Sequence, residues 1–222
     1  MYFLFHPITF LNHSTARLIA DPLVFLSSII FFVFLALNYK NRFWKGIDEQ
    51  VSYWAQESKR NFLKARSEDF AMFGNAIFHI LFIVALSIIF LIAKHNIGII
   101  FSILFVLIFS WGLNRFMKLI FKRVRPGQSA SHVRKRLSYC FPSGHVMASI
   151  SIYFFAAVIL QTLIPFLAWY LIALIISFFV VMSRIYLNHH FFTDVLGGIA
   201  MGIFCFHIST WFYFYILLRS VS

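Results

Sequence analysis

The sequence predicts an all-α integral membrane protein with six transmembrane helices whose polar motifs converge on one membrane face. Three observations predict it. Of 222 residues, 61% are hydrophobic and only 12% are charged, against about 45–50% apolar and about 25% charged in soluble domains. Six apolar runs, roughly 22–38, 70–93, 97–117, 144–160, 166–183 and 195–218, approach the ~20 residues a helix needs to cross hydrocarbon. The longer polar stretches between them fall on one side of the membrane. Helices are required because an unpaired backbone is too costly in lipid. The length suits one membrane-embedded domain over residues 1–222.

Taken in order, residues 1–20 are apolar but carry His6, Pro7, His13 and Arg17. They read as an interfacial segment; lacking a basic start and a small-residue cleavage site, they do not read as a cleaved signal peptide. After the first run, residues 39–69 alternate aromatic and charged residues, which suggests amphipathic helices lying on the surface over the site. "KHN" at 94–96 and "QTLIP" at 161–165 are tight turns. Counting crossings from the first run places 39–69, 118–143 and 184–194 on the same face. Inside the runs, His79 and His207 suit neutral, hydrogen-bonded roles between helices, too far along to touch that face. The 31 phenylalanines read mostly as lipid-facing bulk. Cys140 and Cys205 form no disulfide framework or CxxC metal spacing; Cys140 lies on the polar face, a convenient position for a labelling reagent.

The charge narrows the partners. Nineteen Lys and Arg against seven Asp and Glu give a net charge of +12, which calls for an anionic partner such as lipid headgroups or phosphates. Nucleic acid is excluded as a main partner, because most of the chain sits in lipid.

Three stretches on the polar face carry chemistry. In "KLIFKRVRP", Lys118 and Arg125 are seven residues apart, so they share a face if the helix continues. Pro126 pushes Arg125 toward extended backbone and ends the helix near that point. In "FPSGH", Phe141 to His145, Pro142 suits a first helical turn, and Ser143 and Gly144 would offer free N–H groups to an anion. His145 would touch whatever binds. In "SRIYLNHHFFTD", residues 183–194, Arg184 ends one run and Asp194 begins the next. His190 and Asp194 are four apart, on one helical face. A carboxylate on one ring nitrogen fixes the tautomer and leaves the other nitrogen to attack; His189 would meet Thr193 instead. A two-metal site needs a cluster of acids, and Asp194 is the only acid between residues 70 and 222.

Together the stretches read K-x6-RP, PSGH and SR-x5-H-x3-D. This resembles the type 2 phosphatidic acid phosphatase superfamily of lipid phosphate phosphatases. The SR-x5-H spacing selects His190 over His189. The resemblance implies metal-independent hydrolysis, without a cofactor, through a phosphohistidine. His190 is then the nucleophile, Asp194 its orienter and His145 the general acid and base. Lys118, Arg125, Ser143, Gly144 and Arg184 bind the phosphate.

The expected partner is an anionic membrane lipid. Whole-chain likeness and the basic face favour lipid A, dephosphorylated at the 4′-position of its disaccharide. Undecaprenyl diphosphate and phosphatidylglycerol phosphate use the same catalytic set, as would a lipid phosphotransferase. An anion transporter or binding protein is the alternative of a different class, but would call for polar residues along the spans, and these are sparse. The polar face holds most of the cations, Lys122, Arg123, Arg134, Lys135 and Arg136 among them, which by the positive-inside tendency alone would be cytoplasmic. Bacterial relatives acting on envelope lipids carry the site outside, and a polyanionic substrate explains the charge equally well. The expected location is therefore the bacterial inner membrane, with the site on the periplasmic face.

Overall fold

The computed structural model describes residues 21–57, 61–93, 97–127 and 139–221. Expectations for residues 1–20, for the turn at 94–96 and for Lys59, Arg60, Arg134, Lys135 and Arg136 lie outside the described residues. The chain is all-helical there: α1 Pro22–Asn38, α2 Arg42–Glu57, α3 Asn61–Met72, α4 Ala76–Ile92, α5 Ile97–Phe121, α6 Gly144–Leu163, α7 Ala168–Tyr186 and α8 Phe192–Val221. Helices α5 to α8 are each long and apolar enough to cross a membrane. Two bent pairs, α1 with α2 and Ala65–Met72 of α3 with α4, bring the number to six if each counts as one span.

Local chemistry sets the first of these elements. Pro22 takes the first turn of α1, where a missing N–H costs nothing, and Asp21 Oδ1 accepts the Leu23 N–H at 2.8 Å, a side-chain cap. At the far end the chain turns 91° into α2, with Asn41 Nδ2 donating to Asn38 Oδ1 at 2.7 Å across the corner. Helix α2 is amphipathic, as its alternation of charged and aromatic residues suggests. Lys45 and Glu49 pair on the exposed face. Asp48 and Ala55 are buried on the other, with Val51 between them packed against the core, the spacing of a helical stripe. A buried aspartate on that stripe is not what the pattern alone suggests.

The second apolar run is broken. It was expected as one span over 70–93, but α3 stops at Met72 and α4 starts at Ala76, the two meeting at 44°. Gly74 and Asn75 sit in the break. Helix α5 also differs: it ends at Phe121, and Lys122 adopts a left-handed backbone with φ 47°. Arg125 therefore lies beyond the helix and not on its face with Lys118.

Helix α6 is the centre of the molecule, buried along nearly its whole length, with α5, α7 and α8 packed on it. At its start Phe141 is fully buried. Its ring lies 5.7 Å from Phe32, 5.2 Å from Tyr39 and 4.9 Å from Phe121. Many phenylalanines do face lipid, Phe178 among them at 55% exposure, but this cluster ties α1, α5 and the start of α6 together.

Phe141→Ala removes a fully packed ring and is expected to destabilise the protein by about 3–5 kcal/mol. Phe178→Ala should change stability by no more than about 0.5 kcal/mol. Thermal unfolding of the two variants in detergent measures the difference.

Candidate active site

The polar face gathers the ends of five elements: the corner after α1, α2, the segment after α5, the start of α6, and the α7–α8 turn. The chain enters α6 through a fixed turn. Asn114 of α5 donates from Nδ2 to Pro142 O at 3.2 Å. A Cβ on Gly144 would sit 2.7 Å from Asn114 Oδ1, so only glycine fits there. Ser143 takes the N-cap position without a side-chain cap. The N–H groups of Gly144, His145 and Val146, in the first turn, have no intrahelical partner. Contrary to expectation, the Ser143 N–H is not free: it donates to Asp194 O at 2.9 Å and ties the start of α6 to that of α8. The Ser143 hydroxyl is buried with no hydrogen-bond partner among the described residues.

The α7–α8 turn separates the two histidines. Asn188 turns the chain through a left-handed backbone, φ 51°, which asparagine tolerates better than most residues. His189 faces outward and is exposed. His190 is 3% exposed, and its Nδ1 lies 3.6 Å from Asp194 Oδ2, with no hydrogen-bond partner of its own among the described residues. Burial pulls the His190 pKa down to about 4, against the opposing pull of Asp194 and with the help of Arg125 and Lys118. The ring is therefore neutral near pH 7, as a nucleophile must be.

The remaining motif residues lie near His145 and His190. Arg184 is 5% exposed, and its Nε donates to Ser183 Oγ at 3.4 Å. Lys118, Arg184 and His190 all lie within electrostatic reach of His145, and Arg125 is within reach of Arg184. Arg125 Nε is buried without a partner among the described residues. Arg115, one turn before Lys118, is exposed.

Two functional residues were missed. Arg123 was counted with the basic surface, but it is a bridge. Its guanidinium donates to Asp194 Oδ1 at 2.7 Å, Thr193 Oγ1 at 2.6 Å and Asp48 Oδ2 at 2.7 Å. Its plane lies between the rings of Tyr39, 4.6 Å away, and Phe191, 4.3 Å away. Asp48 reads from the sequence only as one of the charged residues of 39–69, but it is 1% exposed. It accepts the Thr193 N–H at 2.9 Å and the Thr193 hydroxyl at 2.7 Å, capping α8 from another helix. Asp194 Oδ2 accepts the Phe191 N–H at 2.9 Å. Two carboxylates thus sit at the positive end of the α8 dipole, where negative charge is favoured. The only signal in the sequence was the spacing of Asp48 with Val51 and Ala55 on one stripe of α2.

Three other expectations change. Cys140 is fully buried, its Sγ donating to Val124 O at 3.2 Å. Burial, with Asp194 nearby, pushes its thiol pKa well up, so it does not suit labelling. His79 does meet another helix, Nε2 to Ser149 Oγ at 3.5 Å, but Ser149 is one turn from His145, so His79 lies just beneath the site. His207 bonds within its own helix, Nδ1–H to Ile203 O at 2.8 Å.

Known proteins resemble this chain in sequence and fold. Residues 99–217 match the model of the PAP2 superfamily. The chain belongs to the PAP2 superfamily. It is 39% identical over 101 residues to a protein named phosphatidylglycerophosphatase B from Bacillus subtilis (strain 168), an alignment covering 43% of this chain and 49% of that one. The match thus spans about half the length of that curated relative. The fold is similar to the crystal structure of a transmembrane PAP2-type phosphatidylglycerolphosphate phosphatase from Bacillus subtilis. That likeness has a TM-score of 0.75 and 30% identity, and covers 85% of this chain and 94% of the other. Like that protein, this one is a multi-pass membrane protein.

Arg123→Ala leaves two buried carboxylates without their cation and is expected to cost about 3–5 kcal/mol. Lys122→Ala, at an exposed side chain, should stay within about 0.5 kcal/mol. Chemical denaturation in micelles compares them.

Proposed function

We propose that this protein hydrolyses a phosphate monoester from a membrane lipid through a phosphohistidine at His190, without a metal. The observation that carries this is the buried, neutral His190 backed by Asp194 and faced by cations and unpartnered donors. Phosphoryl transfer needs positioning and stabilisation of spread negative charge more than covalent help from the protein. Lys118, Arg125 and Arg184 supply three positive charges; the arginines offer paired N–H donors and the lysine a point charge. The Ser143 hydroxyl and the Gly144 N–H complete the cradle at the positive end of α6.

The geometry supports the following steps. Asp194 faces Nδ1 of His190, so Nε2 attacks phosphorus while the bond to the lipid oxygen breaks. His145 gives its proton to that oxygen. Asp194, held by Arg123, stabilises the cationic phosphorylated ring. A water then attacks phosphorus, His145 takes its proton, the P–N bond breaks, and inorganic phosphate leaves.

Phosphatidylglycerol phosphate is the substrate we favour over lipid A. The sequence favoured lipid A for its basic face, but one of those cations, Arg123, is consumed by Asp48 and Asp194. The named relatives are phosphatidylglycerophosphatases. The location that fits remains the bacterial inner membrane, with the site on the periplasmic face.

Phosphate release by purified protein from phosphatidylglycerol phosphate, lipid A bisphosphate and undecaprenyl diphosphate, each in mixed micelles, tests the reading. The first is expected to be cleaved fastest; His190→Ala to abolish release; His189→Ala to leave most of it; and EDTA to have no effect. Loss of activity with EDTA, or equal effects of the two substitutions, contradicts it. The acid limb of kcat/KM, which reports the free enzyme, is expected below the ordinary histidine value of 6.5, because His190 stays neutral until the pH nears 4. A limb at or above 6.5 contradicts that assignment.

Glu49→Cys tests the face. Glu49 is exposed next to Asp48, while Cys140 and Cys205 are both buried. Its labelling by a membrane-impermeant maleimide in intact spheroplasts is expected; labelling only after lysis would place the site in the cytoplasm.

A further inference from the structure

The break between α3 and α4 points at His145. Asn75 occupies the N-cap position of α4, with φ −76° and ψ 149°. An asparagine there ordinarily accepts a hydrogen bond from a first-turn N–H. Asn75 makes no such bond; its Oδ1 lies 2.8 Å from Nε2 of His145, 70 residues away. Gly74 beside it allows the approach. A Cβ at Gly74 would stand 3.0 Å from both Cβ and Cδ2 of His145 and 2.9 Å from Val180 Cγ1. One turn on, His79 and Ser149 repeat the contact between the same two helices, which fixes their register. The break thus gives up a helix cap and a side chain, and both concessions serve one imidazole.

We propose that Asn75 is the positioning residue of His145, accepting its Nε2 hydrogen so that Nδ1 exchanges protons with the leaving oxygen and the attacking water. This rests on the acid–base role of His145 given above. With Oδ1 as acceptor, Nε2 carries a hydrogen in both the neutral and the cationic ring, so the contact survives the whole cycle. Only the Nδ1 proton moves: to the lipid oxygen in the first step, and back from water in the second.

The two histidines therefore have different orienters, and the difference suits their roles. His190 becomes cationic when phosphorylated, and the charged Asp194 stabilises that state. His145 must release its proton, and a carboxylate would hold it too tightly. A neutral amide orients the ring without trapping the cation. The titratable groups that face His145 are Arg184 of α7, His190 before α8, Lys118 of α5 and His79 of α4. None of them carries a negative charge, and the Oδ1 of Asn75 is the acceptor that stands at Nε2 of His145.

The test is the pH profile of kcat/KM for phosphate release from phosphatidylglycerol phosphate by the purified protein, its Asn75→Asp and Asn75→Ala variants, and His145→Ala. Asn75→Asp is nearly isosteric and adds a charge within hydrogen-bonding distance, so the basic limb is expected to move up by about one to three pH units. Asn75→Ala should move it down and lower kcat about 10–100-fold, as for a misplaced catalytic group. The acid limb, set by His190, stays in place, and the substrate's own ionisation is common to all variants. If Asn75→Ala does not fold, the direction of the Asn75→Asp limb decides alone. If His145→Ala is inactive but Asn75→Asp leaves the basic limb where it was, Asn75 is only structural and the proposal falls while the mechanism stands. If His145→Ala keeps full activity, the acid–base assignment falls, and this proposal with it.

Discussion

Arg123 is held between two buried carboxylates, Asp48 of α2 and Asp194 of α8, and between two aromatic rings. Burying three charges is costly, since each loses its hydration. The cost is offset here because every partner is placed well: the guanidinium makes short bonds to both acids and to Thr193, and the acids also take up N–H groups at the start of α8. Removing Arg123 would leave both acids buried without their cation. The surface helix, the segment after α5 and the α7–α8 turn are therefore fixed relative to one another by one bridge, and the Asp194 carboxylate at its end faces His190 Nδ1 at 3.6 Å.

The rest of the site is built on helix termini. The start of α6 presents N–H groups and the Ser143 hydroxyl, and its Ser143 N–H is spent on the Asp194 carbonyl, so the start of α6 and that of α8 belong to one hydrogen-bonded unit. Phe141, packed among Phe32, Tyr39 and Phe121, anchors that unit to α1 and α5. Tyr39 serves twice, stacking on Phe141 and covering the Arg123 guanidinium. The aromatic cluster and the ionic bridge are thus adjacent parts of one support.

Much of this was legible in the sequence. Apolar runs reveal spans because lipid imposes their length, and α1 begins at Pro22 as its sequence indicates, whereas α6 begins at Gly144, so that Pro142 lies before the helix and not in its first turn. The motif spacings single out His190 over His189, and the structure buries the first and exposes the second. What the sequence did not reveal depends on contacts across the fold. Asp48 lies in a stretch rich in charge, and nothing local distinguishes it from Glu49, yet one is buried and the other faces water. Arg123 sits among Lys122 and Arg125, and nothing local marks it as the cation that Asp48 and Asp194 share. Asn75 looks like an ordinary helix cap until His145, far along the chain, takes its side chain.

The central claim is that the buried imidazole of His190, oriented by Asp194, carries the phosphoryl group during turnover. The direct measurement uses phosphatidylglycerol phosphate radiolabelled in its terminal phosphate, with turnover quenched in alkali, where phosphohistidine survives, followed by mapping of the label to peptides. The account predicts an alkali-stable, acid-labile label on the peptide that holds His190, located on that ring. Label on His189, on His145 or on a serine, or turnover with no protein-bound label at any time, would contradict it.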